Sequence, residues 1–128
     1  SMDIEKNNFL FNFENLIVYQ KSLDYIDWVY QICKEFPKDE LFGLTSQFRR
    51  AAQSIALNIA EGAGSNKKQF VRYLEIARGS LRECLVCSTI AKRQNFINDE
   101  NEKLSRDKLL EISKIISGLI RSFKIHNT

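Results

Sequence analysis

The residues with chemical potential gather in RRAAQSIALNIAEG, positions 49–62, where small and branched apolar residues are interrupted by Arg49, Arg50, Ser54, Asn58 and Glu61. Arg50, Ser54, Asn58 and Glu61 follow one another at intervals of four, four and three, which lines them up along one face of a helix, beside its apolar stripe. Such a face can serve catalysis, bind an anionic partner, or form a buried network that fixes helix register. Chemistry argues against the first. The single histidine is His126, in the C-terminal tail, so no Asp/Glu-x-x-His pair exists to build a di-metal bundle site, and no nucleophile has an evident base.

Neither an enzyme nor a cofactor is expected. The expectation is a structural polar network of Arg49, Arg50, Ser54, Asn58, Glu61 and Glu83. In a hairpin turning near Gly64, Arg50 comes opposite Arg78, with Glu75 and Glu83 in reach of the arginines. Gly79 is part of this expectation: glycine inside a helix costs about 1 kcal/mol against alanine, so its presence suggests the close approach of a large group. A network of this kind must be nearly complete, because removing one partner of a buried charge pair costs about 3–5 kcal/mol.

Two other motifs carry less. Cys84 and Cys87 form a CxxC, but no second pair and no nearby histidine completes a metal site. The turn EGAGSNKK has glycines at 62 and 64 and lysines at 67 and 68; it follows a helix rather than a strand and lacks the GK[ST] ending of a phosphate loop.

The elements that position these residues are all helical. The first helix carries Leu16, Tyr19, Leu23, Ile26, Tyr30 and Cys33 at alternating spacings of three and four, the seam of an amphipathic helix, and should end near Phe36, since Pro37 disfavours helical geometry at the residue before it. The second begins between Asp39 and Thr45, both able to cap it, and runs to Gly62 on the stripe Phe48, Ala52, Ile55 and Ile59. The third opens at Asn66, whose spacing to Gln69 resembles a capping box. It continues through Phe70, Leu74, Ala77, Leu81, Cys84, Ser88 and Ala91. Asn95 to Asn98 interrupt, and Asp99 with Glu102 can cap a fourth helix built on Leu109, Ile112, Ile116, Leu119 and Phe123. With no strand-like alternation and short connections, the fold class is all-α, an antiparallel up-down-up-down four-helix bundle. Residues 1–12 form an N-terminal arm and 13–126 the single domain.

The first helix has more apolar surface than one seam uses. Val18, Tyr25, Val29 and Ile32, with Ser22 between them and Trp28 adding bulk, make a second three-and-four series around the same helix. Either FLFNF, residues 9–13, folds back over it, or identical subunits associate through it; the two are compatible.

At 128 residues the chain can bury roughly two-thirds of the surface it exposes when unfolded, without disulfides or metal. Ser1 ahead of Met2 is taken as a tag remnant and Met2 as the natural start. Apolar runs such as LIVY at 16–19 fall far short of the about 20 residues that cross a bilayer. No membrane association and a cytoplasmic, thiol-reducing setting are expected. The net charge of +3 is unevenly placed: residues 1–43 hold four lysines against eight acids, and residues 44–96 hold nine Lys or Arg against Glu61, Glu75 and Glu83.

FENLIVYQKSL, FPKDELFGLTSQFRRAAQSIALNIAEG and FVRYLEIARGSLRE together resemble the bacterial four helix bundle proteins encoded in intervening sequences of ribosomal RNA genes, some of them labelled ribosomal-protein-like. The similarity covers about residues 13–124. Its most specific part runs through Gln47, Arg49, Arg50, Ala51, Ser54, Ile55, Asn58, Ile59, Ala60, Glu61 and Gly62, followed by Ala77, Gly79, Ser80 and Glu83. The resemblance implies an antiparallel four-helix bundle assembled into a ring-shaped homopentamer. Relatives include the accessory variability determinant of diversity-generating retroelements, a basic ring that binds nucleic acid and a reverse transcriptase. Tyr19 stands where many members carry Trp.

The function expected is a non-enzymatic homo-oligomeric adaptor that binds RNA or DNA through phosphates, using Lys67, Lys68, Arg72, Arg78, Arg82, Lys92 and Arg93 on or near the third helix. Aromatics suited to stacking unpaired bases are not interleaved with them, so binding should be sequence-tolerant and salt-sensitive. The alternative is a scaffold that docks a protein, such as a polymerase or ribosomal component, without touching nucleic acid.

Overall fold

The computed structural model describes residues 11–126, with the side chain of His126 left out; most of the expected N-terminal arm, including Phe9 and Leu10 of the FLFNF segment, lies outside the described residues. Four long helices account for most of the chain: α1 (Ile17–Cys33), α2 (Leu44–Ala63), α3 (Lys67–Arg93) and α4 (Asp99–His126). Short 3-10 turns at Asn12–Asn15 and Lys38–Glu40 precede α1 and α2, and the described residues include no strand. Neighbours in sequence pack against each other, and α4 also packs on α1, so each helix meets two others around one core.

The boundaries follow from backbone satisfaction. The chain leaves α1 through a turn in which Phe36 N donates to Cys33 O at 3.1 Å, and Pro37 prevents continuation. Neither Asp39 nor Thr45 caps α2. Gly43 holds the N-cap position and has no side chain to offer, so Glu40 reaches forward and its Oε2 accepts from Leu44 N at 3.0 Å, which puts a carboxylate at the positive end of the helix. Asn66 caps α3 as expected, its Oδ1 accepting from Gln69 N at 2.9 Å. That helix ends in a Schellman turn: Asn95 takes φ 64°, Asn95 N donates to Lys92 O at 3.0 Å, and Phe96 N donates to Ala91 O at 2.8 Å. The cap of α4 falls one residue before the expected one, on Asn98, whose Oδ1 accepts from Asn101 N at 2.8 Å.

The stripes of α2 and α3 are core throughout, and those of α4 are core or packed against it. On α1 the assignment is reversed. Val18, Tyr25, Val29 and Ile32, expected at a subunit interface, are 1%, 0%, 0% and 6% exposed and form the core face of this one chain. Trp28 is half-buried, stacked on Tyr25 with centroids 5.7 Å apart and edge-on to Phe48 at 6.4 Å. Of the seam first expected inside, Leu23 and Tyr30 are exposed, and only Cys33 is buried.

The polar atoms of the buried stripe are satisfied within the chain. The Tyr25 hydroxyl lies 2.9 Å from Ser105 Oγ, deep in the core, and Ser22 Oγ donates to Val18 O at 2.7 Å. This face therefore buries no unpaired polar group. Tyr30 finds its partner at the surface instead, accepting from Gln53 Nε2. The turn before α1 does fold back, but onto the other stripe: Phe13 stands edge-on to Tyr19 at 5.0 Å.

Candidate nucleic-acid interface

Helix α3 is the one that carries the basic residues, and its core side fixes where they point. At about 100° per residue, Lys67, Lys68, Arg72, Arg78, Arg82, Lys92 and Arg93 fall within an arc of roughly 160°, on the side away from Ala77, Ser80 and Cys84. Lys67, Lys68, Arg72, Arg82 and Arg93 are exposed. Lys67 and Lys68 occupy the first turn, where the helix dipole opposes positive charge. None of these five residues has a carboxylate within ion-pair distance among the described residues.

The other two expected cations are engaged internally. Lys92 is half-buried, with Nζ 3.1 Å from Asp99 Oδ1. Arg78 is half-buried against α4, its Nη1 3.5 Å from Ser117 Oγ. Along the same α3–α4 seam, Lys124 Nζ approaches Glu75 Oε1 at 3.7 Å. Glu75 is thereby committed to α4 rather than to the arginines of α2.

One basic residue was not legible in the sequence. Arg106 of α4 donates from Nη2 to Thr89 Oγ1 of α3 at 3.2 Å and from Nε to Glu102 Oε1 at 3.0 Å, which holds its guanidinium beside the α3 cations. With Arg78 and Arg82 it lines a groove of about 320 Å³ between the two helices. Only the α3–α4 pairing brings it there; its sequence neighbours look like an ordinary solvated face.

The expected polar network is much smaller than the sequence suggested. What survives of it is Ser54 with Asn58, joined by Ser80, which the expected network did not include. Asn58 Nδ2 donates to Ser54 O at 2.8 Å and to Ser54 Oγ at 3.0 Å, and Ser80 Oγ donates to Ser54 Oγ at 2.9 Å, tying α2 to α3. Arg50, Glu61 and Glu83 are exposed and take no ion pair among the described residues. Arg49 turns the other way, towards α1, with its guanidinium carbon 4.7 Å from the Tyr30 ring centroid and its buried Nε without a hydrogen-bond partner.

Gly79 is not a close-approach site, since a Cβ there would meet nothing within 4 Å. The close approach is at Gly62, where a Cβ would lie 2.8 Å from Tyr73 Cβ and 2.9 Å from Phe70 Cδ1. The satisfied buried network lies elsewhere as well. Tyr25 OH, Ser105 Oγ and Ser88 Oγ form a chain with links of 2.9 and 3.0 Å, closed by Ser88 Oγ donating to Cys84 O at 2.8 Å. Ser88 on a core stripe was the available signal.

Cys33, Cys84 and Cys87 are free and buried. Burial pushes the Cys33 and Cys87 thiols up to about 11, with the Arg49 guanidinium opposing the rise at Cys33, and lifts Cys84 further. A thiol held neutral is a poor nucleophile and a poor metal ligand. No group of three or more His, Cys, Asp or Glu side chains is placed to share a metal ion among the described residues. No helix among them is long and apolar enough to cross a membrane.

Apolar surface accompanies the charge. Leu57 on α2 and Ile76, Val86 and Ile90 on α3 are exposed, and Phe42, in the loop before α2, is 94% exposed. A groove of about 510 Å³ between the start of α2 and α3 is lined by Leu44, Gln47, Val86, Cys87 and Ile90 together with Arg82 and Glu83.

Fold and surface together define an all-helical protein of four packed helices with a cation-rich outer face on α3 and exposed apolar residues beside it. The chain belongs to the 23S rRNA-intervening sequence protein family, whose description matches residues 14–118. Its fold is shared by a protein with unknown function from the S23 ribosomal protein family of Bacteroides thetaiotaomicron, with a TM-score of 0.75 and 24% identity over 81% of this chain and 98% of that one. No curated protein matches the chain.

Proposed function

We propose that the protein is a non-enzymatic, homo-oligomeric cytoplasmic adaptor that binds nucleic acid through its phosphates, without sequence preference. The observation that carries this reading is the cation-rich face of α3: Lys67, Lys68, Arg72, Arg82 and Arg93 all reach solvent, and none of them has a carboxylate within ion-pair distance among the described residues. Exposed cations held at one face attract polyanions over a Debye length of about 8–10 Å at physiological salt. Several copies in a closed assembly, a pentameric ring by family resemblance, repeat that face and multiply its field.

The antiparallel up-down-up-down course belongs to the same proposal. It is supported by contacts whose partners run in opposite directions: Ser54 with Ser80 and Gly62 with Tyr73 between α2 and α3, and Lys92 with Asp99, Ser88 with Ser105 and Glu75 with Lys124 between α3 and α4. With the α1 core face buried, self-association falls to exposed apolar residues outside the cation arc, Leu57 on α2 and Ile76 on α3.

Fluorescence anisotropy with labelled RNA and duplex DNA at about 50 and 200 mM salt tests the reading. Binding should weaken steeply with salt. Replacing Lys67, Lys68 and Arg72 by Ala should reduce the salt slope by about 0.9 for each duplex phosphate that is no longer neutralised, with the unfolding midpoint unchanged. Absence of binding to either nucleic acid at the lower salt overturns the adaptor and leaves the second reading, a scaffold for a polymerase or ribosomal component. That second reading is favoured by the apolar groove of Leu44, Val86 and Ile90 with Phe42 beside it.

A further inference from the structure

The α3–α4 seam carries an ion pair at each end, and between them Arg106 is paired with Glu102 at 3.0 Å while two arginines of α3 stand without a carboxylate. At one end Lys92 is paired with Asp99 at 3.1 Å, and at the other Lys124 with Glu75 at 3.7 Å. Between them, Arg78 and Arg82 stand one turn apart on α3, about 6 Å along the helix, and neither has a carboxylate partner among the described residues. Arg106 faces them from α4, fixed by Glu102 and Thr89.

A guanidinium has five N–H donors. Arg106 uses Nε and one Nη2 hydrogen in those two bonds, Arg78 has one long bond to Ser117 Oγ at 3.5 Å, and Arg82 has none among the described residues. Most of the donors in this groove are therefore left for a ligand. The lining contains no carboxylate, and its floor is leucine: Leu81 and Leu109 are anchored in the core, with Leu85 and the exposed Leu110 beside them.

We infer that this groove binds an unpaired nucleic-acid strand, with phosphodiester oxygens on Arg78, Arg82 and Arg106 and the adjoining base against the leucines. Planar forks match phosphate oxygens in pairs, and the about 320 Å³ available lies at the small end of ligand sites, enough for one nucleotide unit at a time. A duplex keeps its bases stacked inside and cannot offer one to an apolar floor, whereas an unpaired strand can. The leucines present no hydrogen-bonding edge, which leaves the Ser113 hydroxyl as the one uncharged polar group of the lining. This inference rests on the nucleic-acid reading above and narrows it to a strand type and to the residues that hold the strand.

The test compares a short labelled oligouridylate with a duplex of the same length by anisotropy, for the full chain and three variants. Arg78→Ala with Arg82→Ala should weaken oligouridylate binding by about tenfold or more, the effect of removing charge-assisted hydrogen bonds. Lys67→Ala with Lys68→Ala should lower single-strand and duplex binding alike. Leu110→Ser, at an exposed position, should weaken the single strand several-fold and leave the duplex unchanged. Should Arg78→Ala loosen the seam, as seen in the unfolding midpoint, Arg82→Glu alone gives the same answer, because Arg82 is exposed.

Equal affinity for duplex and single strand, or oligouridylate binding that survives the arginine changes, overturns the groove and leaves phosphate binding by α3 intact. Full competition by uridine monophosphate at the same nucleotide concentration overturns the strand in favour of a free nucleotide. If neither labelled species binds, this inference and the adaptor reading fall together.

Discussion

Two glycines in neighbouring helices should answer to alanine with opposite signs. Gly62 lies in the last turn of α2, and a methyl group built there comes within 2.8 Å of Tyr73 Cβ, 2.9 Å of Phe70 Cδ1 and 3.4 Å of Phe70 Cα. Carbon atoms prefer separations of about 3.5–4.0 Å. The overlap with Tyr73 Cβ cannot be relieved by a rotamer change, because that atom is fixed to the backbone, so α3 must move away from α2. Overpacking of this kind costs about 1–3 kcal/mol. The helix-propensity gain, up to about 1 kcal/mol in a helix interior, is smaller near the end of α2 and offsets only part of it.

At Gly79 the same methyl meets nothing within 4 Å, and the backbone is ordinary helix, so Gly79→Ala should stabilise by about 0.5–1 kcal/mol. The two variants should therefore differ by about 1–3 kcal/mol, with Gly62→Ala the less stable. Urea unfolding followed by far-UV circular dichroism at one protein concentration reads the difference directly, and thermal midpoints should separate in the same sense by about 3–6 °C per kcal/mol. Equal shifts, or an alanine at 62 that stabilises more than one at 79, would refute the assignment of close packing to Gly62.

Ser105 should matter more than Tyr25's hydroxyl, because it stands in the middle of the buried chain with bonds of 2.9 and 3.0 Å on either side. Tyr25→Phe should lower stability by about 0.5–1.5 kcal/mol and Ser105→Ala, which strands a buried hydroxyl, by about 1–3 kcal/mol; the reverse order in urea unfolding contradicts the network. Alkaline pH should destabilise the fold. The Cys33 and Cys87 thiols rise from 9.0 to about 11 on folding, so between those values the unfolded chain has released protons that the folded chain retains. The contribution is complete below about pH 9 and is lost as pH rises towards 11, by up to about 1.4 kcal/mol per pH unit per thiol. Cys33→Ala should flatten this slope, and a stability that stays level through that window argues against buried neutral thiols.

How the sequence bears on these outcomes differs from helix to helix. Three helices announced their inner faces because each has one apolar stripe: Phe48 to Ile59, Phe70 to Ala91 and Leu109 to Phe123 can turn only one way without exposing a row of hydrocarbon. Asn66 announced the start of α3 because capping is local chemistry, complete within one turn. The cation-rich segment and the family were equally legible, the first from charge counts and the second from RRAAQSIALNIAEG and its companions.

What tertiary structure alone decided were the choices that local chemistry leaves degenerate. Helix α1 offers two apolar stripes, and the inner one is the stripe whose Tyr25 hydroxyl meets Ser105 in the core, a partner 80 positions away and invisible to any periodicity. Gly62 and Gly79 look alike in a sequence, yet only the first has Tyr73 and Phe70 against it. Arg106 is an ordinary surface residue until α4 packs on α3 and sets it across from Arg78 and Arg82. Periodicity reports how a helix divides its own surface. Which part of that surface is covered, and which charges end up side by side, depends on residues tens of positions away, and only the packed chain brings those together.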